Sequence, residues 1–285
     1  MNKIKIFTIH HKKDVGLPVF IKYFTPIQVG AEVSQFDLGI LKDNIGQNIS
    51  NKNKNYAELT ANYSLFRNDD FEYIGFMHYR RIFTNQNLYF YLTKNKLIFL
   101  FRKLSGYFFK KNLSLRQDHS FNISKISFLN IKSELLLKFV NNKIDKNIDV
   151  VLPLKHHFAY INFKEQFCLN HSRIHFELFN DIIIQNYPRL ARFVTKVNNS
   201  NYMYPYNMFI MKKVHSDEYH EMLFDVLFKL EKLIDINLFK NYQSRIFGFL
   251  AERFFNYYIA FKKEECIDFM TLELPILFIS DDLSD

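Results

Sequence analysis

The stretch Tyr73-Ile74-Gly75-Phe76-Met77-His78-Tyr79-Arg80-Arg81-Ile82-Phe83 decides the fold and points to its site. From Phe71 to Met77 the apolar residues face both ways, the pattern of a central strand covered on both sides. His78, Tyr79, Arg80 and Arg81 follow at its end. In open α/β sheets, ligands gather at the carboxyl ends of the strands. Arginine keeps its charge and offers a planar fork that grips phosphate oxygens. A diphosphate suits these residues. So does a plainer arrangement, with one arginine paired to an internal carboxylate and the other solvated.

Working outward, Lys3 to Ile9 alternates as a first strand, with His10-His11-Lys12-Lys13 at its end. Ile27 to Gly30 reads as a short second strand. Asp43 to Asn55, "DNIGQNISNKNKN", is polar and turn-rich, so it reads as a loop. A helix is expected from near Tyr56, with Leu59, Tyr63 and Phe66 on one side. Further on come a helix at Glu134–Asn141, a strand at Ile148–Leu152 ended by Pro153, and a helix at Phe176–Asn186 stopped by Tyr187-Pro188. Asn207 to Met211 is the next strand. Ser216 suits an N-cap, with Asp217 and Glu218 in the first turn. That helix carries Met222, Leu223, Val226, Leu227, Leu230 and Leu233 on one stripe. A long helix follows from about Tyr242 to Phe261, and "ELPILFI" is a terminal strand or an extended tail. Strands alternating with helices mean an α/β fold with a mainly parallel central sheet flanked by helices. Leu88 to Phe121 breaks this rhythm. It is rich in Phe, Tyr, Leu, Lys and Arg, and reads as an insertion within a single domain spanning 1–285.

The chain has 285 residues, 48% of them hydrophobic, which suits one large domain with a packed core. The net charge of +9 is compatible with nucleic acid, an anionic membrane surface or phosphorylated small molecules, and does not choose among them. Cys168 and Cys266 lack metal-ligand spacing and are too few for a disulfide framework, so a reduced, cytoplasmic setting is expected. The start, "MNKIKIFTIHHKK", lacks the features of a signal peptide. No run reaches the roughly 18 apolar residues of a membrane span.

The "DNIGQNIS" loop offers Asp43, Asn44 and Asn48, whose short side chains can hold ribose or sugar hydroxyls. They can equally satisfy their own backbone. On the last long helix, at about 100° per residue, Arg245, Gly248, Phe249, Glu252 and Asn256 share one side. Ile246, Leu250, Phe254 and Tyr257 cluster on the other. Glu252 is a candidate general base if a substrate hydroxyl reaches it. Otherwise it belongs to a solvated face. The chain has no GxGxxG, no P-loop, no GxSxG and no Asp-x-Asp clamp.

Four segments, "DNIGQNISNKNKNYAELTANYSLFRN", "YIGFMHYRRIF", "YPYNMFIMKK" and "RIFGFLAERFFNYY", occur in an order that resembles a family of bacterial glycosyltransferases. Members occur in capsule, exopolysaccharide and O-antigen clusters and were long catalogued as a domain of unknown function. "IQVGAE", Ile27 to Glu32, is also similar to its motif after the first strand. The resemblance covers nearly the whole chain except Leu88 to Phe121. It implies a GT-A-like nucleotide-sugar fold. It also implies a nucleotide-diphosphate sugar donor, a UDP-sugar foremost, and a glycan or lipid-linked glycan acceptor. Galactofuranose is one candidate sugar. Arg80 and Arg81 would stabilise the leaving diphosphate. Asp43, Asn44, Asn48, His78, Tyr79 and Arg245 would bind the donor, and Glu252 would be the base. GT-A enzymes hold a metal with Asp-x-Asp, whereas His78-Tyr79-Arg80-Arg81 stands in the comparable place here. No metal ligand is therefore assigned, and a divalent metal stays open. A catalytically silent glycan- or lipid-binding protein is the alternative. No nucleic-acid motif is present. The basic, aromatic insertion suits a peripheral contact with the anionic inner face of a bacterial membrane.

Overall fold

The computed structural model describes residues 2–13, 17–68, 70–85, 89–108, 115–117, 120–124, 142 and 147–280. The strands are β1 (Asn2–His10), β2 (Thr25–Gln28), β3 (Leu41–Lys42), β4 (Phe71–His78), β5 (Arg81–Phe83), β6 (Arg116–Gln117) and β7 (Ser120–Ser124). They continue with β8 (Val150–Pro153), β9 (His156–Phe158), β10 (Tyr202–Met203), β11 (Phe209–Lys212), β12 (Thr271–Leu274) and β13 (Ile276–Ser280). The helices are α1 (Leu17–Tyr23), α2 (Asn53–Tyr56), α3 (Leu59–Leu65), α4 (Tyr89–Phe108) and α5 (Phe163–Asn170). After them come α6 (Arg173–Asn186), α7 (Ala191–Asn198), α8 (Lys213–Glu231) and α9 (Ile246–Glu265).

The main path of the central sheet runs β12-β8-β11-β4-β1-β2-β3. β1 pairs in parallel with β2 and β4, β2 with β3, and β8 with β12. β11 is inserted antiparallel between β4 and β8. β5 folds back on β4, and β13 links β5 to β7. A small antiparallel sheet, β10-β9-β6, stands beside it.

β4 is central and buried on both faces, which is why its sequence shows little alternation. Ile74 and Phe76 join a core with Phe7, Phe209 and residues of α3 and α5 to α9. Tyr73 and Met77 point the other way, toward Ile6, Ile210 and Phe20 of α1. Gly75 lies between neighbouring strands. A Cβ there would come 2.9 Å from Ile210 Cγ1 and 3.1 Å from Ile6 Cγ1. The mainly parallel α/β architecture expected from the sequence is the one observed.

Several local expectations change. α8 begins at Lys213, so Ser216 lies inside the helix and caps nothing. Its hydroxyl and carbonyl instead lie 3.1 and 2.7 Å from the His220 ring Nδ1. Leu233 falls beyond the helix end and is exposed. The polar stretch before Tyr56 is not all loop, because a 3₁₀ turn (Ser50–Lys52) and α2 occupy its end. The long final helix starts at Ile246, after a 3₁₀ turn at Asn241–Arg245. It is buried nearly all round, so the solvated face expected of it does not exist. The presumed insertion is mostly α4, but its far end joins the central sheet as β7. The helix expected at Glu134–Asn141 lies outside the described residues.

Candidate active site

The chain leaves β1 toward β2 and β3, then crosses back to place β4 on the other side of β1. This reversal opens a crevice at the carboxyl ends of β1 and β4. A cavity of about 480 Å³ fills it, lined by Ile9, His11, Val29, Asn53, Lys54, Glu58, the run His78 to Arg81, Ser244, Arg245 and Phe278, among others. A second cavity of about 350 Å³ adjoins it. The shared wall is Glu58, His78, Arg81 and Arg245. The second lobe adds Arg116, His156, Gln166, His171, Tyr206, Gly248, Phe249, Glu252 and Arg253.

Backbone geometry turns Glu58 inward. Ala57 adopts φ +50° and separates α2 from α3. The Glu58 carboxylate then accepts from Arg245 Nη2 at 3.0 Å and from Asn207 Nδ2 at 2.9 Å. Asn207 also donates to the Gly248 carbonyl at 3.0 Å, tying β11 to α9. Tyr206 and Asn207 both have positive φ, +81° and +49°. Such non-glycine conformations persist only where the surroundings over-determine them. Here the Tyr206 carbonyl accepts from His78 Nε2 at 2.9 Å, and its ring covers Arg81. Burial pushes His78 below its ordinary pKa, against the pull of Glu58. Burial also works to raise the Glu58 carboxyl, yet His78 and Arg245 hold it below its ordinary value. Because His78 itself is driven toward the neutral form, the fixed charge of Arg245 is the part that persists at neutral pH.

The two adjacent arginines differ. Arg80 donates from Nε to the Ile279 carbonyl at 3.1 Å and lies over Phe278. Arg81 sits 4.6 Å from the Tyr206 ring centre and 5.0 Å from that of Phe278. Among the described residues, its buried Nε has no hydrogen-bond partner. Arg81 thus presents a guanidinium held by aromatic faces, facing both lobes.

Across the second lobe stands Glu252 of α9. Among the described residues, its carboxylate makes no hydrogen bond. Burial raises its pKa, and the neighbouring Glu58 adds to this, against Arg253, Arg81 and Arg245. Arg253 is itself buried, stacked on Phe163 at 4.6 Å and Phe167 at 5.3 Å, and bonded to Gln166. Phe249 stacks on His171 at 4.2 Å and meets Tyr242 at 4.9 Å, giving that lobe an aromatic wall.

His78, Tyr79, Arg80, Arg81 and Arg245 therefore come together at the first lobe, and Glu252 faces the second. Asp43, Asn44 and Asn48 do not reach either one. Asp43 is fully buried and accepts from Gly30 N (2.8 Å), Ala31 N (3.0 Å) and the Ser50 hydroxyl (2.5 Å). It shapes the turn after β2, where Gly30 has φ +65° and a Cβ would come 2.8 Å from Asn53 Cγ. Asn44 reaches Glu32 at 3.4 Å, and Asn48 closes a local turn with Gly46 and Ser50. The backbone-satisfying reading of that loop is the one realised. Glu58, Tyr206, Asn207, His11 and Lys54 are site residues that the sequence did not single out. Among the described residues, no group of three or more His, Cys, Asp or Glu could hold a metal ion. Glu58 is engaged by Arg245 and Asn207, and Glu252 lies beside Arg253, so these two carboxylates do not form a metal clamp.

Chemically, the first lobe offers fixed cations and neutral hydrogen-bonding groups to an anion. The second offers a desolvated carboxylate and an aromatic wall. A family profile described as a domain of unknown function (DUF4422) matches residues 5–264. No curated protein matches the chain. Among solved structures, the chain is similar to the apo structure of WbbM, a bifunctional glycosyltransferase, with a TM-score of 0.75 and 26% identity. The match covers 98% of this chain and 46% of WbbM, so the chain spans about half the length of that protein.

Proposed function

This chain belongs to the DUF4422 family, and we propose that it is a glycosyltransferase. It moves a sugar from a nucleotide-diphosphate donor onto a bacterial surface-glycan acceptor. The likeness to one part of a bifunctional glycosyltransferase supports glycosyl transfer in general. The observation that carries the reading is Arg81, stacked and without a carboxylate partner among the described residues, between a cationic lobe and Glu252.

In this reading the donor diphosphate lies in the first lobe against Arg81, Arg80 and Arg245, and the acceptor sugar lies in the second against Phe249. In an inverting transfer, the acceptor oxygen attacks the anomeric carbon. The bond from that carbon to the β-phosphate oxygen breaks, and its electron pair leaves on the diphosphate. The hydroxyl proton passes to Glu252, a carboxylate that burial makes more basic than an ordinary Glu. The arginines stabilise charge as it develops on the leaving group, the task a metal performs elsewhere. Glu58 holds Arg245 in place. Resemblance favours a hexosyl and UDP-linked donor, galactofuranose among the candidates, and work at the inner face of the bacterial membrane.

A thermal-shift panel tests the donor assignment. A ligand that binds only the folded state stabilises it by mass action, about 2.7 kcal/mol at a hundredfold excess over Kd. At least one nucleotide-diphosphate sugar should raise the Tm. If no member of a broad panel does, the first lobe is not a donor site.

A further inference from the structure

The second lobe is bordered by β6 and β9, which contribute Arg116 and His156 to its lining. α4, a helix of 20 residues, or about 30 Å, packs against β6 of that small sheet. α4 is pinned there by its inner face: Phe99 is 9% exposed, and the Lys103 carbonyl accepts from the Tyr160 hydroxyl. At about 100° per residue, Leu97, Leu100, Phe101 and Leu104 fall on the opposite side. They are 62%, 44%, 72% and 65% exposed. An apolar stripe this open is the mark of an interaction surface.

The charges around the stripe are of one sign. Lys94, Lys96 and Arg102 are exposed, Lys103 is half-buried, and α4 contains no Asp or Glu. No helix in the described residues is long and apolar enough to cross a membrane. An apolar stripe flanked by cations, on a helix that does not span, is complementary to the surface of an anionic bilayer. We propose that the outer face of α4 docks on anionic lipid and brings the second lobe beside the membrane. Its corollary, that the acceptor is lipid-borne, rests on the glycosyl-transfer reading; the docking itself does not.

The test is vesicle flotation of the full chain, without substrate. The vesicles are phosphatidylglycerol with phosphatidylethanolamine, against pure phosphatidylcholine. Wild type should float with the anionic vesicles at low salt and be released by high salt. Each lysine near the surface contributes about a fivefold factor in affinity. Lys94→Glu with Lys96→Glu should therefore lower binding by well over tenfold. Leu97→Glu with Phe101→Glu and Leu104→Glu should abolish it. These side chains are exposed, so circular dichroism and Tm should stay at wild-type values. Failure of wild type to float, or flotation unchanged in both variants, overturns the proposal. So does light scattering that shows a dimer which the apolar-stripe variant dissolves, since the stripe would then cover a second copy. Donor-dependent thermal shifts are read separately, so a failed flotation leaves the enzyme reading standing, and the reverse also holds.

Discussion

Replacing Glu252 by Gln is the most informative single substitution in the site. The swap keeps shape and volume, and among the described residues the Glu252 carboxylate has no hydrogen bond to lose. What changes is charge in a desolvated place beside Glu58, Arg253 and Arg81. If Glu252 takes the acceptor proton, turnover should fall by roughly 10²–10⁴, the usual span for loss of a general base. That corresponds to about 2.7–5.4 kcal/mol of barrier. Donor affinity should be nearly unchanged, because the first lobe is lined by other residues. Stability should move the opposite way. A carboxyl whose pKa is higher in the fold than in the unfolded chain binds its proton more tightly when folded. Its contribution to stability is greatest below the unfolded value, 4.5 for an ordinary Glu, and falls as pH rises through the folded value. At neutral pH the native carboxylate therefore costs stability, and Gln should raise the Tm. A gain of about 1 kcal/mol would appear as roughly 2–4 °C. The assay is a pH–rate profile at saturating donor, with thermal denaturation at pH 5 and 7.5. Wild-type activity should rise with pH along a limb that the variant lacks. The Tm gain should be larger at pH 7.5 than at pH 5. Normal turnover in the variant, or a lowered Tm at neutral pH, would instead make Glu252 a structural counter-ion of Arg253.

Other expectations follow from the same geometry. Arg81→Ala should weaken nucleotide-sugar binding by about 1.5–3 kcal/mol, the worth of a charge-assisted hydrogen bond. Arg80→Ala should cost less, because Arg80 is already tethered to the Ile279 carbonyl; calorimetry on both variants orders them. Turnover should survive exhaustive EDTA, since fixed cations rather than a carboxylate clamp line the first lobe; loss restored by Mn²⁺ or Mg²⁺ would mean a ligand had been overlooked. Gly75→Val should destabilise by roughly 1–3 kcal/mol through contact with Ile210 and Ile6, read as a lower midpoint in urea.

What was legible in the sequence were features carried by contiguous patterns. "YIGFM" reads as a central strand because burial on both faces erases alternation, and His78 to Arg81 follows directly at its carboxyl end. Glu252 shares a helical side with Gly248 and Phe249, Arg245 stands at the N-cap just before them, and all four line the second lobe. Glu58 carried no such signal. It becomes a wall residue through the positive φ of Ala57 and an amide arriving from Asn207, far along the chain. Tyr206 is placed by backbone strain, which side-chain periodicity does not encode. Asp43 erred in the other direction. Its type and loop fitted a sugar hydroxyl, but the backbone amides of Gly30 and Ala31 claimed it first. Short polar side chains in tight turns face that competition everywhere. Ser216 had the composition of a cap. Helix α8 nevertheless runs directly on from β11, so its start lies three residues earlier.

In the proposed function, the two joined lobes cleave a nucleotide-diphosphate sugar and pass the sugar on. The most direct measurement is release of nucleoside diphosphate by the purified protein from a donor that raises its Tm, with and without a glycan acceptor. Wild type should release nucleoside diphosphate, faster with acceptor present, and Glu252→Gln at least a hundredfold less, within the ~10²–10⁴ expected for a lost base. A donor that binds tightly but is never cleaved, under either condition, would contradict it and leave a silent binding protein.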